Sequence, residues 1–270
     1  MIRKIAKTEL VEVLDYLKQD LQLCLYAYID IKKYGIDNDN LTVFAQFDED
    51  ESIKCVIMRY YMGLQIYTAE KDYDAGELVE FLDTIEYNMI NGAAYLIQSI
   101  VDAIDSPQKY ERENGFVVEL KELFWDRNED VVQKIVRAEN SEDFLASAKL
   151  ICSDEGLGGH YDVHELSKQL QERREESFGR NMLLWQNDRL VCHVATYAEL
   201  NQVGIISGVI TDSLARGQGL AYQLVGALSA ELLNEGKRVF LFYYTEAAGR
   251  LYKKLGFTNS VEWQKLIVKQ

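Results

Sequence analysis

One short stretch of this 270-residue chain has the residue types needed to hold a bulky anion. It reads Gly208-Val209-Ile210-Thr211-Asp212-Ser213-Leu214-Ala215-Arg216-Gly217-Gln218-Gly219-Leu220-Ala221. The apolar run ending at Thr211 has strand character. Arg216-Gly217-Gln218-Gly219 then opens a helix whose apolar positions, Ala221, Leu224, Val225, Leu228 and Leu232, share one face. Gly217 and Gly219 let the backbone turn sharply and come close to a large group. A helix start presents free N–H groups and the positive end of its dipole, which suits a pyrophosphate. Arg216 adds a fixed charge and a fork of donors. Together these predict a diphosphate cradle. Two familiar phosphate loops do not fit it. No Gly-Lys-Ser/Thr ending is present for a P-loop, and Tyr222 stands where the third glycine of G-x-G-x-x-G belongs.

The stretch resembles the pyrophosphate loop of the GNAT acyltransferase superfamily, Gln/Arg-x-x-Gly-x-Gly/Ala. Arg216, Gly219 and Ala221 fill the three fixed positions, after a strand reading Val209-Ile210-Thr211. Downstream, Ala248-Gly249-Arg250-Leu251-Tyr252-Lys253-Lys254-Leu255-Gly256-Phe257 resembles the superfamily's helix ending in Tyr-x-x-x-Gly-Phe. The likeness covers residues 130–270 and is sharpest over 203–257. It implies acetyl-CoA as cosubstrate and direct attack of a primary amine on the thioester, with no covalent enzyme intermediate and no metal. Val209, Ile210 and Thr211 would lend backbone groups to the pantetheine arm and the acyl carbonyl. Arg216, Gly217, Gln218, Gly219, Leu220 and Ala221 would hold the pyrophosphate. Tyr252 would protonate the departing thiolate, and Thr245 and Ala248 join the cofactor-binding set.

Two positions depart from the family pattern. Thr245 stands where many members have a pantetheine-binding asparagine, and residues 203–210 hold no carboxylate to serve as general base. Glu199, just before that strand, or His193 on the strand preceding it would then act through water. The missing carboxylate also keeps open a second class of function, a non-catalytic acyl-CoA sensor or interaction module. Each residue has a plainer reading. The glycines can serve an ordinary strand-to-helix turn, Tyr252 can be core, Glu199 a solvated turn residue, and His193 a satisfied strand histidine. His160 and His164, with Glu155 nearby, have helical spacing, but no cysteine or third histidine completes a metal site. The glycine-rich run 156–161 reads as a mobile loop near the acceptor.

These residues need a scaffold. Hydrophobic periodicity predicts, in residues 128–270, helices at 141–153 and 163–177 and strands at 182–186, 190–197 and 203–211. A helix at 220–235, a strand at 238–243, a helix at 246–255 and a strand near 263–268 follow. Residues 1–127 show a blurred version: a helical stretch over 8–33, strands at 41–47, 55–61, 64–68 and 115–120, and helices at 75–85 and 92–104. The expected fold class is α+β, a mixed central sheet flanked by helices, with GNAT-like architecture and a duplication. Residues 1–127 would form a degenerate copy without a phosphate loop, and residues 128–270 the catalytic one.

Composition bounds the rest. The net charge of −15 is concentrated early, with 12 Lys and Arg against 24 Asp and Glu in residues 1–125, and 17 against 20 afterwards. That argues against nucleic-acid binding, which depends on neutralising phosphates, and leans towards a cationic acceptor, a small-molecule or peptide amine. No apolar run has the length of a membrane span. Cys24, Cys55, Cys152 and Cys192 form no CxxC, so reduced thiols and a cytoplasmic location are expected. Related folds often pair, so a homodimer is compatible with the resemblance.

Overall fold

The computed structural model describes residues 1–154, 157 and 162–269. The chain divides into two compact units, Met1–Val117 with Ser260–Gln270, and Val118–Asn259. The expected division lay ten residues later and left the C-terminal segment in the second unit. No described helix is long and apolar enough to cross a membrane.

In the first unit, β1 (Ile2–Lys4), β2 (Leu41–Phe47), β3 (Ile53–Tyr60) and β4 (Gly63–Tyr67) are neighbours in antiparallel order. β5 (Met89–Ala93) runs parallel to β4 and pairs on its other side with the C-terminal strand through Trp263–Ile267. The helical stretch over 8–33 breaks in two, α1 (Leu10–Leu17) and α2 (Leu25–Tyr34), because Asp20 leaves the helical region at φ −142°, ψ 76°. α3 (Ala75–Leu82) follows β4, and α4 (Ala94–Ala103) follows β5. The helix expected over 92–104 thus begins two residues late, its predicted start being the end of β5. The chain leaves this unit along β6 (Tyr110–Leu120).

The second unit places α5 (Glu129–Val132), β7 (Ile135–Arg137), α6 (Ser141–Cys152) and α7 (Val163–Glu175) before its main strands. Asn140 and Asp162 cap α6 and α7 with their own side chains. β8 (Asn181–Gln186), β9 (Arg189–Leu200) and β10 (Val203–Thr211) form an antiparallel meander. The β8–β9 turn uses Asn187 and Asp188, both at positive φ, the pairing a tight hairpin demands. α8 (Leu220–Asn234) crosses to β11 (Arg238–Tyr243), which pairs parallel with β10. α9 (Glu246–Leu255) leads to the last strand, β12 (Phe257–Val268).

Side-chain alternation sorts two cores onto the faces of this meander. Met182, Leu184, Cys192, Val194 and Ile206 pack with Leu224, Leu228 and Leu232 of α8. Leu183, Leu190 and Ile210 pack with Phe144 of α6 and Leu166 and Leu170 of α7. Ile206 and Ile210 have the same parity along β10 yet belong to opposite cores. Only a one-residue slip between them can do that. The strand is therefore bulged, and the bulge lies where the chemistry is expected.

Candidate functional site

β10 is irregular on both edges. Towards β9 the register shifts between Ser207 and Ile210, leaving Gly208 and Val209 as the bulge. Gly208 sits at φ +59°, a conformation that side-chain-bearing residues rarely adopt. Towards β11 the parallel ladder runs from Val203↔Arg238 to Ile206↔Leu241 and stops, although both strands continue. Beyond Ile206 the two strands form no further pairs. Ser207, Gly208 and Val209 are half-buried, and among the described residues no strand pairs with this edge. An extended chain carrying amides can add itself there as a strand would.

The bulge is braced from behind. His193 is fully buried, with Nδ1 2.7 Å from the Gly208 carbonyl and Nε2 2.9 Å from Asn181 Oδ1. Burial pushes its pKa down to about 4, so the ring is neutral: Nδ1–H donates to Gly208, and Nε2 accepts from the side-chain amide of Asn181 with that amide turned to present its NH2. The ring thus ties the bulge of β10 to β8.

The loop after β10 is built to leave a helix start bare. Asp212 accepts the Leu214 N–H at 3.0 Å, pairs with Arg189 and sets a single turn at Ser213–Ala215. Gly219 then takes the N-cap position of α8 in the left-handed region, at φ +73°, ψ 11°. With glycine there, no side chain caps the helix, so the first-turn N–H groups of Leu220, Ala221 and Tyr222 keep their donor capacity and the dipole is uncompensated. A side chain added at Gly217 or Gly219 would meet nothing within 4 Å, so the space beside both is open. Arg216 stands at the rim, 59% exposed, its Nε donating to the Thr211 carbonyl at 3.1 Å. The predicted cradle residues are thus brought together.

Tyr252 lies on α9 in the core beneath α8, 6% exposed, its ring 5.9 Å from Tyr243 and 5.8 Å, edge-on, from Phe257. Burial raises its pKa, which keeps the phenol protonated. Thr245 Oγ1 caps α9 by accepting the Ala248 N–H at 3.3 Å. The Thr245 hydroxyl proton remains a donor, whereas the Ala248 N–H is already used.

Glu199 does something other than what its position suggested. It pairs with Gly204, seven residues before Thr211, so it sits about 23 Å from the strand end at the usual rise per residue. Both of its oxygens are taken. Arg180 donates through Nε and Nη2 at 2.7 and 2.6 Å, Thr196 Oγ1 at 2.6 Å, and Lys237 also donates. Burial opposes its charge, yet the hydrogen bonds from Arg180, Lys237 and Thr196 prevail and hold its pKa below the ordinary value. A carboxylate so engaged holds Arg180, Thr196 and Lys237 together.

The network carries a stability prediction. Glu199, and Glu235 beside it with its carboxyl lowered to about 2 by Arg180, are both depressed in the folded state. Their stabilisation is therefore complete above about pH 4.5 and is lost as the pH falls towards 2. Glu199→Gln is expected to cost about 1–2 kcal/mol at pH 7, because it removes the buried member of the carboxylates shared by Arg180 and Lys237 and leaves them the more exposed Glu235. Denaturation at pH 7 and pH 3 checks this: the gap between variant and wild type should shrink at pH 3, and identical stabilities at pH 7 would refute it.

Comparison with known proteins places this geometry. Residues 187–267 match the family model described as FR47-like protein. A GNAT-family acetyltransferase from Colwellia psychrerythraea superposes with a TM-score of 0.62 at 14% identity, covering 99% of each chain. A GCN5-related N-acetyltransferase from Sphaerobacter thermophilus gives 0.64 at 12%, covering 98% of this chain and 94% of its own. A tandem GNAT protein from the clavulanic acid biosynthesis pathway gives 0.60 at 9%, covering 100% and 99%. The fold is that of the GNAT acyltransferases. Its likeness to a tandem GNAT protein over the whole length agrees with a duplicated GNAT fold. No curated protein sequence matches the chain.

Within the GNAT frame the first unit has the counterpart elements β4, α3, β5 and α4, but not the cradle. The Asp74 side chain caps α3, accepting the Glu77 N–H at 3.0 Å, so a carboxylate occupies the place an anion would take. β4 and β5 also stay close: a side chain at Gly92 would come within 2.9 Å of the Ile66 carbonyl. The loop before α8 has one neighbour that sequence reading missed, Asp154, whose Oδ2 lies 3.2 Å from Arg216 Nη2. Nothing local in the sequence links residues so far apart. Gly208, by contrast, had a signal, as a glycine inside a strand pattern commonly marks a bulge. Among the described residues no group of His, Cys, Asp or Glu is arranged to hold a metal. His160, Glu155 and most of the run 156–161 lie outside the described residues.

Proposed function

We propose that the second unit is an N-acetyltransferase, taking acetyl-CoA as cosubstrate and passing the acetyl group to a primary amine on a small molecule or peptide. The observation that carries this reading is the coincidence, at one strand end, of a bulged unpaired edge, an uncapped helix start and an arginine. In this reading the first-turn N–H groups of α8 and Arg216 hold the diphosphate. The free edge of Ser207, Gly208 and Val209 hydrogen-bonds the amide-bearing pantetheine arm, and an N–H of the bulge polarises the thioester carbonyl. The thioester supplies the activated acyl group. The amine nitrogen bonds to the carbonyl carbon, the C–S bond breaks with its electron pair on sulfur, the Tyr252 phenol proton neutralises the thiolate, and the proton shed by the nitrogen passes to water, which reprotonates Tyr252.

With Glu199 and His193 both engaged elsewhere, the acceptor amine enters already neutral. The rate with a saturating cosubstrate is therefore expected to climb about tenfold per pH unit up to the amine's own pKa. Tyr252 does not limit it, because burial keeps that phenol protonated. pH–rate profiles for two amines of different basicity check this: the midpoint should follow the amine, and a midpoint near pH 6–7 for both would contradict it.

The same shortage of a free base favours, as a second reading, an acyl-CoA sensor that keeps the cradle without the transfer. Thiol release from acetyl-CoA across an amine panel separates the two. Acceptor-dependent release supports the enzyme, and binding without release supports the sensor.

A further inference from the structure

Arg216 is already held before any anion reaches it. Its Nε donates to the Thr211 carbonyl at 3.1 Å and its Nη2 to Asp154 Oδ2 at 3.2 Å. Asp154 follows α6, and its other oxygen, Oδ1, accepts the Leu157 N–H at 3.2 Å, so the carboxylate is anchored. A guanidinium has five N–H donors; two are used here, and three remain for a ligand. The side chains are 59% and 37% exposed, so an anion can reach Arg216 without disturbing the core. It would then share that guanidinium with a fixed carboxylate.

We infer that Asp154 is a built-in competitor of the diphosphate, which orients Arg216 but weakens its grip so that the spent CoA can leave. The inference rests on the proposed acetyl-CoA reading. Two effects oppose each other. Orientation of an exposed arginine by one ion pair contributes little. Repulsion between a carboxylate and a doubly charged diphosphate on the same guanidinium is larger at this range, and salt screens it. Repulsion wins, which makes Asp154 an affinity-setting residue at the rim beside Arg216.

Asp154→Asn keeps the size and the acceptor oxygen while removing the charge. Titration calorimetry of the full chain with acetyl-CoA, at low and high salt, should show D154N binding about three- to tenfold tighter than wild type at low salt. The advantage should shrink at high salt and, being a through-space repulsion, persist when both proteins also carry Arg216→Gln. Equal or weaker binding by D154N, an advantage untouched by salt, or one that disappears in the R216Q background would overturn the inference. Wild-type protein that fails to bind acetyl-CoA at all would instead overturn the proposed function.

Discussion

Replacing Arg216 with glutamate is expected to weaken acetyl-CoA binding about a hundredfold, a loss of roughly 2.7 kcal/mol. Two terms combine. The variant loses charge-assisted hydrogen bonds to the diphosphate, each among the stronger of their kind. It also places a second carboxylate beside Asp154, so that the cradle rim turns from neutral to doubly negative. The helix start keeps its amides and retains some affinity, which is why the loss is not total. Because Arg216 is 59% exposed and touches no core side chain, the fold should be unaffected. Calorimetric titration and thermal melting measure the two effects separately. Undiminished binding in a normally folded variant would remove the cradle from the account.

The second large effect concerns Tyr252. Tyr252→Phe removes one hydroxyl and leaves the ring between Tyr243 and Phe257. If that hydroxyl supplies the proton to the leaving thiolate, kcat should fall about a hundredfold, within the usual range for loss of a general acid. Acetyl-CoA affinity should change little, since the cradle and the strand edge are intact. Separate measurement of binding and of single-turnover rate distinguishes a catalytic loss from a packing defect. A variant that weakens binding as much as turnover would make Tyr252 an ordinary core aromatic.

The parts of this molecule that were legible in its sequence are those whose cause is local. β10 and α9 match the bounds that periodicity predicts, and α8 ends one residue short of them. The cradle was readable because glycines, arginine and helix start are consecutive, and their geometry follows from a single turn. β5 was hidden because it runs into α4 without punctuation, Ala93 ending one element and Ala94 opening the next. β1 and β7, three residues each, are too short to show a period. The surroundings of Glu199 were hidden for a related reason. Its nearness in sequence to the central strand suggested a base, but its chemistry is set by Arg180 and Lys237, 19 and 38 residues away. His193 likewise took its meaning from Gly208, across a bulge that only the folded strand reveals.

The central claim is that the uncapped start of α8 grips a diphosphate, and a crystal structure of the protein grown with CoA tests it most directly. The account predicts diphosphate oxygens within hydrogen-bonding distance, about 3 Å, of the backbone nitrogens of Leu220, Ala221 and Tyr222. It also predicts the pantetheine arm along Ser207, Gly208 and Val209. CoA bound elsewhere, with that turn still bare, would contradict it.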